Sequence, residues 1–198
     1  MSFSFQKEKQ RMKNCIVILF IILFITGIIL FSRGMYMGIK AYVAQFLLET
    51  SWNKAGRDGN SLKPWPWADF EPAARLIFPK YGKSVIVLSS SSGEALAFGP
   101  GCHAAGVPPG ERGNCIIAGH RETHFHIIKD LKQGDTVELC LKDNTIKTYR
   151  ITGIFIVDRS DTSVLINTTD ELLTLVTCYP FDAVLPGPER YVVIAWRS

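Results

Sequence analysis

The sequence predicts an all-β domain, a barrel or sandwich of seven or eight short strands with short helical turns, preceded by one N-terminal transmembrane helix. Three observations predict it. Cys15 to Phe31, CIVILFIILFITGIILF, carries no charge; short β-rich runs recur between turn clusters over the last two thirds of the chain; and there is no GxGxxG, GxxxxGK[ST] or internal repeat. With 198 residues and 47% hydrophobic content the chain can bury one good core. The formal charge of +4 is concentrated at the start, where Lys7, Lys9, Arg11 and Lys13 stand against Glu8 alone. The remainder is near neutral, which argues against a nucleic-acid surface. An aromatic content of 11% and the absence of low-complexity runs argue against disorder.

As a helix, Cys15–Phe31 is roughly 26 Å long, enough for a hydrocarbon core if Arg33 snorkels at the far end. A cleaved signal peptide is the alternative, but its apolar region is usually about 7–15 residues and no small-x-small site follows between Ser32 and Lys40. The basic residues before the span, against Arg33 after it, place the N-terminus in the cytosol and the rest outside. The expected organisation is a basic tail (1–14), a signal anchor (15–33), a juxtamembrane helix and linker (34–63), and a folded domain (64–198). Within the linker, Ile39, Tyr42, Val43, Phe46 and Leu47 recur at helical spacing, predicting an amphipathic helix from Gly38 to Ala55 that stops at Gly56 and RDGN. Its apolar side faces either lipid or the domain.

In LKPWPWADF, Pro64 and Pro66 enforce extended backbone, and Trp65 and Trp67 are assigned to core or lid packing rather than to a groove. Strands are then expected at Ser84–Leu88, Ala95–Phe98, Cys115–Ala118, Thr136–Leu141, Ile146–Val157, Leu172–Cys178 and Tyr191–Trp196. SSSSGE, KQGD, KDNT and PGPE mark turns between them. His126–Leu131 and Asp170–Leu173 read as short helical turns.

Of the five cysteines, Cys15 lies at the membrane edge, and Cys115 and Cys140 fall inside apolar runs, where a thiol acts as a small hydrophobe. Cys102 lies in a loop and is free to pair in an oxidising compartment. No CxxC exists, which weakens a thiol-redox reading. Cys178 differs: it ends a strand just before Tyr179 and Pro180, half exposed where the chain must turn. A cysteine nucleophile needs a base or cation, since the thiolate reacts and a free thiol has a pKa of about 8.5. All four histidines lie between residues 103 and 126. In NCIIAGHRETHF, the run Cys115–Ala118 ends at Gly119 and presents His120 at a strand end, as Cys178 is presented. Arg190 opens the last strand, PERYVVIAW, where an adjacent antiparallel strand would return beside Cys178 and offer a guanidinium to a carbonyl or oxyanion. On these residues alone, a turn histidine, a stray thiol and a solvated arginine remain an alternative.

The residues also resemble a known family. Thr174-Leu175-Val176-Thr177-Cys178 is similar to the TLxTC signature of the sortases, cysteine transpeptidases of bacterial surfaces. Ile117-Ala118-Gly119-His120-Arg121 resembles the segment bearing their catalytic histidine, and Arg190 before Tyr191-Val192-Val193 resembles their active-site arginine. PWPWAD, GHRETHF and TCYPFDAVLPGPERYVV look like the single-domain sortases of Gram-negative bacteria, which would make the outer compartment the periplasm and the membrane the inner one. Glu122, where Asp is as common, and Cys115, where Val or Leu is commoner, depart from the pattern without touching the three catalytic positions.

The resemblance implies an eight-stranded β-barrel and a two-step acyl transfer. Cys178 attacks the Thr carbonyl of an LPxTG-like C-terminal sorting motif in a substrate protein, His120 protonates the leaving amine and later deprotonates an acceptor amine, Arg190 holds the backbone or oxyanion, and Thr177 helps line that site. The acceptor is an amine of a peptidoglycan precursor or a protein. No organic cofactor is implied; some members bind calcium, but no clustered acidic loop here makes such a site. Two rivals stand beside this reading: a zinc-dependent hydrolase using His120, His124 and His126, and an anchored, non-catalytic peptide-binding barrel.

Overall fold

The computed structural model describes residues 2–58, 62–164, 168–183, 185 and 187–198. Helix α1 runs from Ser2 to Asp58. Between Ile16 and Phe31 its large apolar side chains are exposed all round, and among the described residues this is the one helix long and apolar enough to cross a membrane. Mid-span, Thr26 donates its hydroxyl to the Ile22 carbonyl at 2.8 Å, which spares it an unpaired polar group.

Residues 44–198 form a compact unit of their own. In it the last four turns of α1 bury Ala44, Leu48, Ser51, Trp52 and Ala55, one stripe at i, i+4, i+7, i+8 and i+11 spacing. Leu48 and Trp52 pack on Phe70, Ile86 and Leu88, and Glu49 receives Arg75 at 2.6 Å. Tyr42, Val43 and Phe46, from the expected apolar side, are exposed, and the stripe that packs is rotated from them, with the small Ala44 and Ala55 letting the helix approach. The helix outlasts the expected stop at Gly56 by two residues; Gly59, Asn60 and Ser61 lie outside the described residues.

Eight strands close a barrel in the order β1-β2-β3-β4-β7-β8-β6-β5, with β5 pairing back to β1. They are β1 (Pro72–Phe78), β2 (Lys83–Leu88), β3 (Gly101–Cys102), β4 (Gly113–Ala118), β5 (Thr136–Cys140), β6 (Ile146–Asp158), β7 (Glu171–Tyr179) and β8 (Glu189–Arg197). The eight-stranded barrel implied by the resemblance is therefore present. Alternate residues fill its interior: Leu76, Cys115, Ile117, Leu139, Tyr149, Ile151, Leu173, Leu175, Val193 and Ala195 belong to one buried cluster. On the other face of β7 and β8, Leu172, Val176, Val192 and Ile194 pack with Val157 and with Val164 from the β6–β7 connection.

Two expected elements differ. Ala95–Phe98 belongs to a short helix, α2 (Gly93–Phe98), because Ser92 caps it by accepting the Ala95 N–H at 3.1 Å, and Glu94 sits favourably in the first turn. Asp170–Leu173 is no helical turn: β7 begins at Glu171, where a position between β4 and β8 makes the apolar run a fully buried strand. Strands β1 and β3 were not anticipated, the first containing Pro72, Ala73, Ala74 and Arg75, the second being two residues long. Trp65 packs edge-on to Phe70 and Phe98 at centroid distances of 5.5 and 5.0 Å, whereas Trp67 is 78% exposed.

Candidate active site

Strands β4 and β7 run parallel, with Ala118 paired to Val176 on the last rung, so both deliver their C-terminal ends to one end of the barrel. The pairing continues one step further, since the Gly119 N–H donates to the Val176 carbonyl at 3.1 Å. His120 follows Gly119, just past the end of β4; Cys178 lies two residues beyond Val176 on β7. Gly119 has no side chain because none fits: a Cβ there would meet the Phe125 ring at 2.8 Å. Phe125, fully buried, in turn anchors the tight loop through its N–H to the His120 carbonyl at 3.1 Å.

On its other side β7 pairs antiparallel with β8, and Cys178 stands directly opposite Arg190. Directly opposed residues share a face, with Cβ atoms typically about 4.5–5.5 Å apart. The Arg190 guanidinium donates to the carbonyls of Glu189 (2.8 Å) and Gly187 (3.2 Å), which holds it beside the end of β7. His120 is exposed and Cys178 and Arg190 are half-buried, so all three are open to a ligand. Thr177, expected to line the substrate or oxyanion position, is buried at 2% exposure and donates its hydroxyl to the Gly119 carbonyl at 2.6 Å. Its side chain thus braces the turn that carries His120.

The other described thiols are free and lie in different surroundings. Burial pushes Cys102 up to about 11 and Cys115 higher still, so neither supplies a thiolate near neutral pH. Cys102 is on β3, paired with Ile117, rather than in a loop. Burial, with His120 nearby, lowers the pKa of His124. His126 is engaged elsewhere, with Nδ1 3.3 Å from the Arg121 carbonyl and Nε2 2.7 Å from Lys129 Nζ. Among the described residues no three His, Cys, Asp or Glu side chains converge as a metal-ligand set. The zinc reading of His120, His124 and His126 is therefore corrected: a turn and a 3-10 segment (His126–Asp130) spread the three instead of gathering them.

The residue that sequence reasoning passed over is Arg121. It is 2% exposed, with Nε on Glu122 Oε1 at 2.8 Å and its terminal nitrogens on the carbonyls of Pro180 (2.8 Å), Ala183 (2.6 Å) and Leu185 (3.1 Å). Backbone carbonyls leave no signature in sequence, so nothing marked it off from a solvated charge. A cleft of about 810 Å³ lies between the end of β2, the β3–β4 connection and the β5–β6 turn, and none of Cys178, His120 or Arg190 lines it.

Residues 76–198 match the family described as the sortase domain, well over half of the chain. The chain belongs to the sortase family. Members of that family are cysteine transpeptidases. Sortase D of Bacillus subtilis (strain 168) is 33% identical over 123 residues, which cover 62% of this chain. The match spans 62% of that relative's length, less than two thirds of it. Among solved structures, a sortase D5 transpeptidase of Clostridium perfringens superposes with a TM-score of 0.61 at 25% identity, covering 78% of this sortase and 96% of its own chain. Sortase A of Corynebacterium diphtheriae shares the fold, with a TM-score of 0.60, 21% identity, and 78% and 84% of the two chains covered.

Proposed function

We propose that this sortase is a membrane-anchored transpeptidase that cleaves an LPxTG-like C-terminal sorting signal and transfers the substrate protein to an acceptor amine. The observation that carries the reading is the shared register: Cys178 faces Arg190 across one rung, while β4, parallel to β7, delivers His120 to the same barrel end. In the first step the Cys178 thiolate attacks the Thr carbonyl carbon of the signal. Arg190 stabilises the negative charge gathering on the carbonyl oxygen. The C–N bond breaks, His120 as imidazolium gives its proton to the departing amine, and a thioester remains on Cys178. In the second step an acceptor amine attacks the thioester, neutral His120 takes its proton, and the thiolate leaves. Thr177 acts through the turn it braces. The residues need no cofactor for this chemistry.

The apolar helix and its basic start support an inner-membrane anchor at 15–33, with tail 1–14 in the cytosol, a connecting segment 34–63 and a catalytic domain 64–198 on the periplasmic side. The motifs PWPWAD and GHRETHF support a place among the single-domain sortases of Gram-negative bacteria. The partners are a protein bearing the sorting signal and an amine of a peptidoglycan precursor or another protein.

The test is a panel of LPxTG-type peptides offered to the full chain in detergent micelles, with and without an added amine. Cleavage is expected, with the acyl fragment joined to the amine. Cys178→Ala, His120→Ala and Arg190→Ala each remove it, with losses of at least about 10²-fold. Retained function in Cys178→Ala would favour the non-catalytic barrel, and the absence of cleavage across the panel would overturn the proposal.

A further inference from the structure

We infer that Arg121 is a positioning residue that fixes His120 relative to Cys178 by clamping the β7–β8 connection. The inference rests on the proposed roles of His120 and Cys178. The residues flanking His120 are bonded to the residues flanking Cys178. On one side of His120, Gly119 donates its N–H to Val176 and accepts the Thr177 hydroxyl at 2.6 Å. On the other, Arg121 reaches Pro180, two residues after Cys178, and then Ala183 and Leu185 further along the same connection. The nucleophile and its acid–base partner are thus bracketed, before and after, by the same two segments.

Chemistry explains why the outer half of this bracket is an arginine. A guanidinium offers five N–H donors in a rigid plane, and here four donor contacts are made at once: three to carbonyls of one loop and one to Glu122. Lysine, a point charge on a flexible stem, cannot span that set. A cation this deeply buried is costly unless its nitrogens find acceptors, and here each of the three does, so the loop carbonyls and the arginine hold each other in one arrangement. Near the end of the same connection, the Gly187 carbonyl accepts from Arg190. At Gly187 an added Cβ would stand 2.7 Å from the Tyr179 carbonyl, so this position lies close against the end of β7.

The test uses the full chain in micelles with Arg121→Lys and Arg121→Gln. Three quantities are read: thermal unfolding by circular dichroism, kcat and KM on a cleaved sorting peptide, and the pH profile of Cys178 alkylation by iodoacetamide. The last needs no substrate. The expected result is a folded barrel with KM within about threefold of the parent, kcat down by about 10²-fold, and an altered alkylation profile as His120 shifts relative to Cys178. A kcat and alkylation profile like the parent's would overturn the inference, as would an activity loss that merely follows the unfolded fraction. If neither variant folds, Thr177→Val opens the other half of the bracket and must move kcat and the alkylation profile in the same direction; a parental profile there sinks the bracket. Failure of the proposed function reads differently, as a parent chain that cleaves no peptide while its Cys178 still alkylates with an Arg121-dependent profile.

Discussion

Cys178 and Arg190 share a rung of β7 and β8, and His120 follows a glycine at the same end of the barrel. Gly119 is the most demanding of these positions, with the Phe125 ring occupying the space a side chain would need. Gly119→Ala should therefore cost about 1–3 kcal/mol of stability through overpacking and shift His120 as the loop yields. Thermal unfolding and peptide cleavage together check this: a lower Tm with kcat reduced beyond the unfolded fraction is expected, and an unchanged kcat would mean the turn tolerates a methyl group. At this scale the sequence was legible wherever chemistry forces a residue type at a strand end. Cys178, His120 and Arg190 stood out by their places at strand ends, but on those residues alone a stray thiol, a turn histidine and a solvated arginine stayed open; the resemblance of their flanking segments to the sortases is what singled them out. Arg121 was not legible, since its partners are main-chain oxygens 59 to 64 residues away.

Among the elements, the strands with continuous apolar or alternating runs, β2 and β4 to β8, were readable from pattern. Those whose identity depends on neighbours were not. Strand β1 shows a clean inward alternation only when its pairing with β2 and β5 is known, and α2 depends on a serine cap inside what reads as a turn cluster. The packing stripe of α1 was not legible, because the largest apolar side chains mark one face while small residues allow another to approach. Trp52 is the centre of that contact, 7% exposed, with the Arg75 guanidinium 5.8 Å from its ring centroid. Trp52→Ala should destabilise the unit formed by residues 44–198 by about 3–5 kcal/mol. Tyr42→Ala, on an exposed position, should change stability by less than about 0.5 kcal/mol. Urea unfolding of both variants in micelles checks the pair, and equal effects would contradict the packing described here.

For the whole molecule, burial of titratable groups inside the barrel links stability to alkaline pH. Burial raises Cys102 from 9.0 to about 11 and Tyr149 from 10.0 to about 12, with Cys115 shifted in the same direction. Groups whose folded pKa is raised stay protonated in the native state after the unfolded chain has lost the proton. Their stabilising contribution is complete below about pH 9 and is lost as pH climbs through the folded values. The unfolding midpoint should be flat between about pH 7 and 8.5 and then decline, by at most about 1.4 kcal/mol per pH unit for each group. Cys102→Ala should weaken the first part of that decline, and a profile unchanged by the substitution would contradict it.

The account as a whole depends on Cys178 becoming acylated while Arg190 and His120 attend it. The most direct measurement is the intact mass of the full chain, quenched in acid during turnover of an LPxTG-type peptide, followed by mapping of the modified residue. The predicted result is an added mass equal to the peptide's N-terminal fragment through its Thr, located on Cys178, released by hydroxylamine and absent in Cys178→Ala. A peptide that is cleaved with no such adduct, or with the adduct on another side chain, would contradict the account.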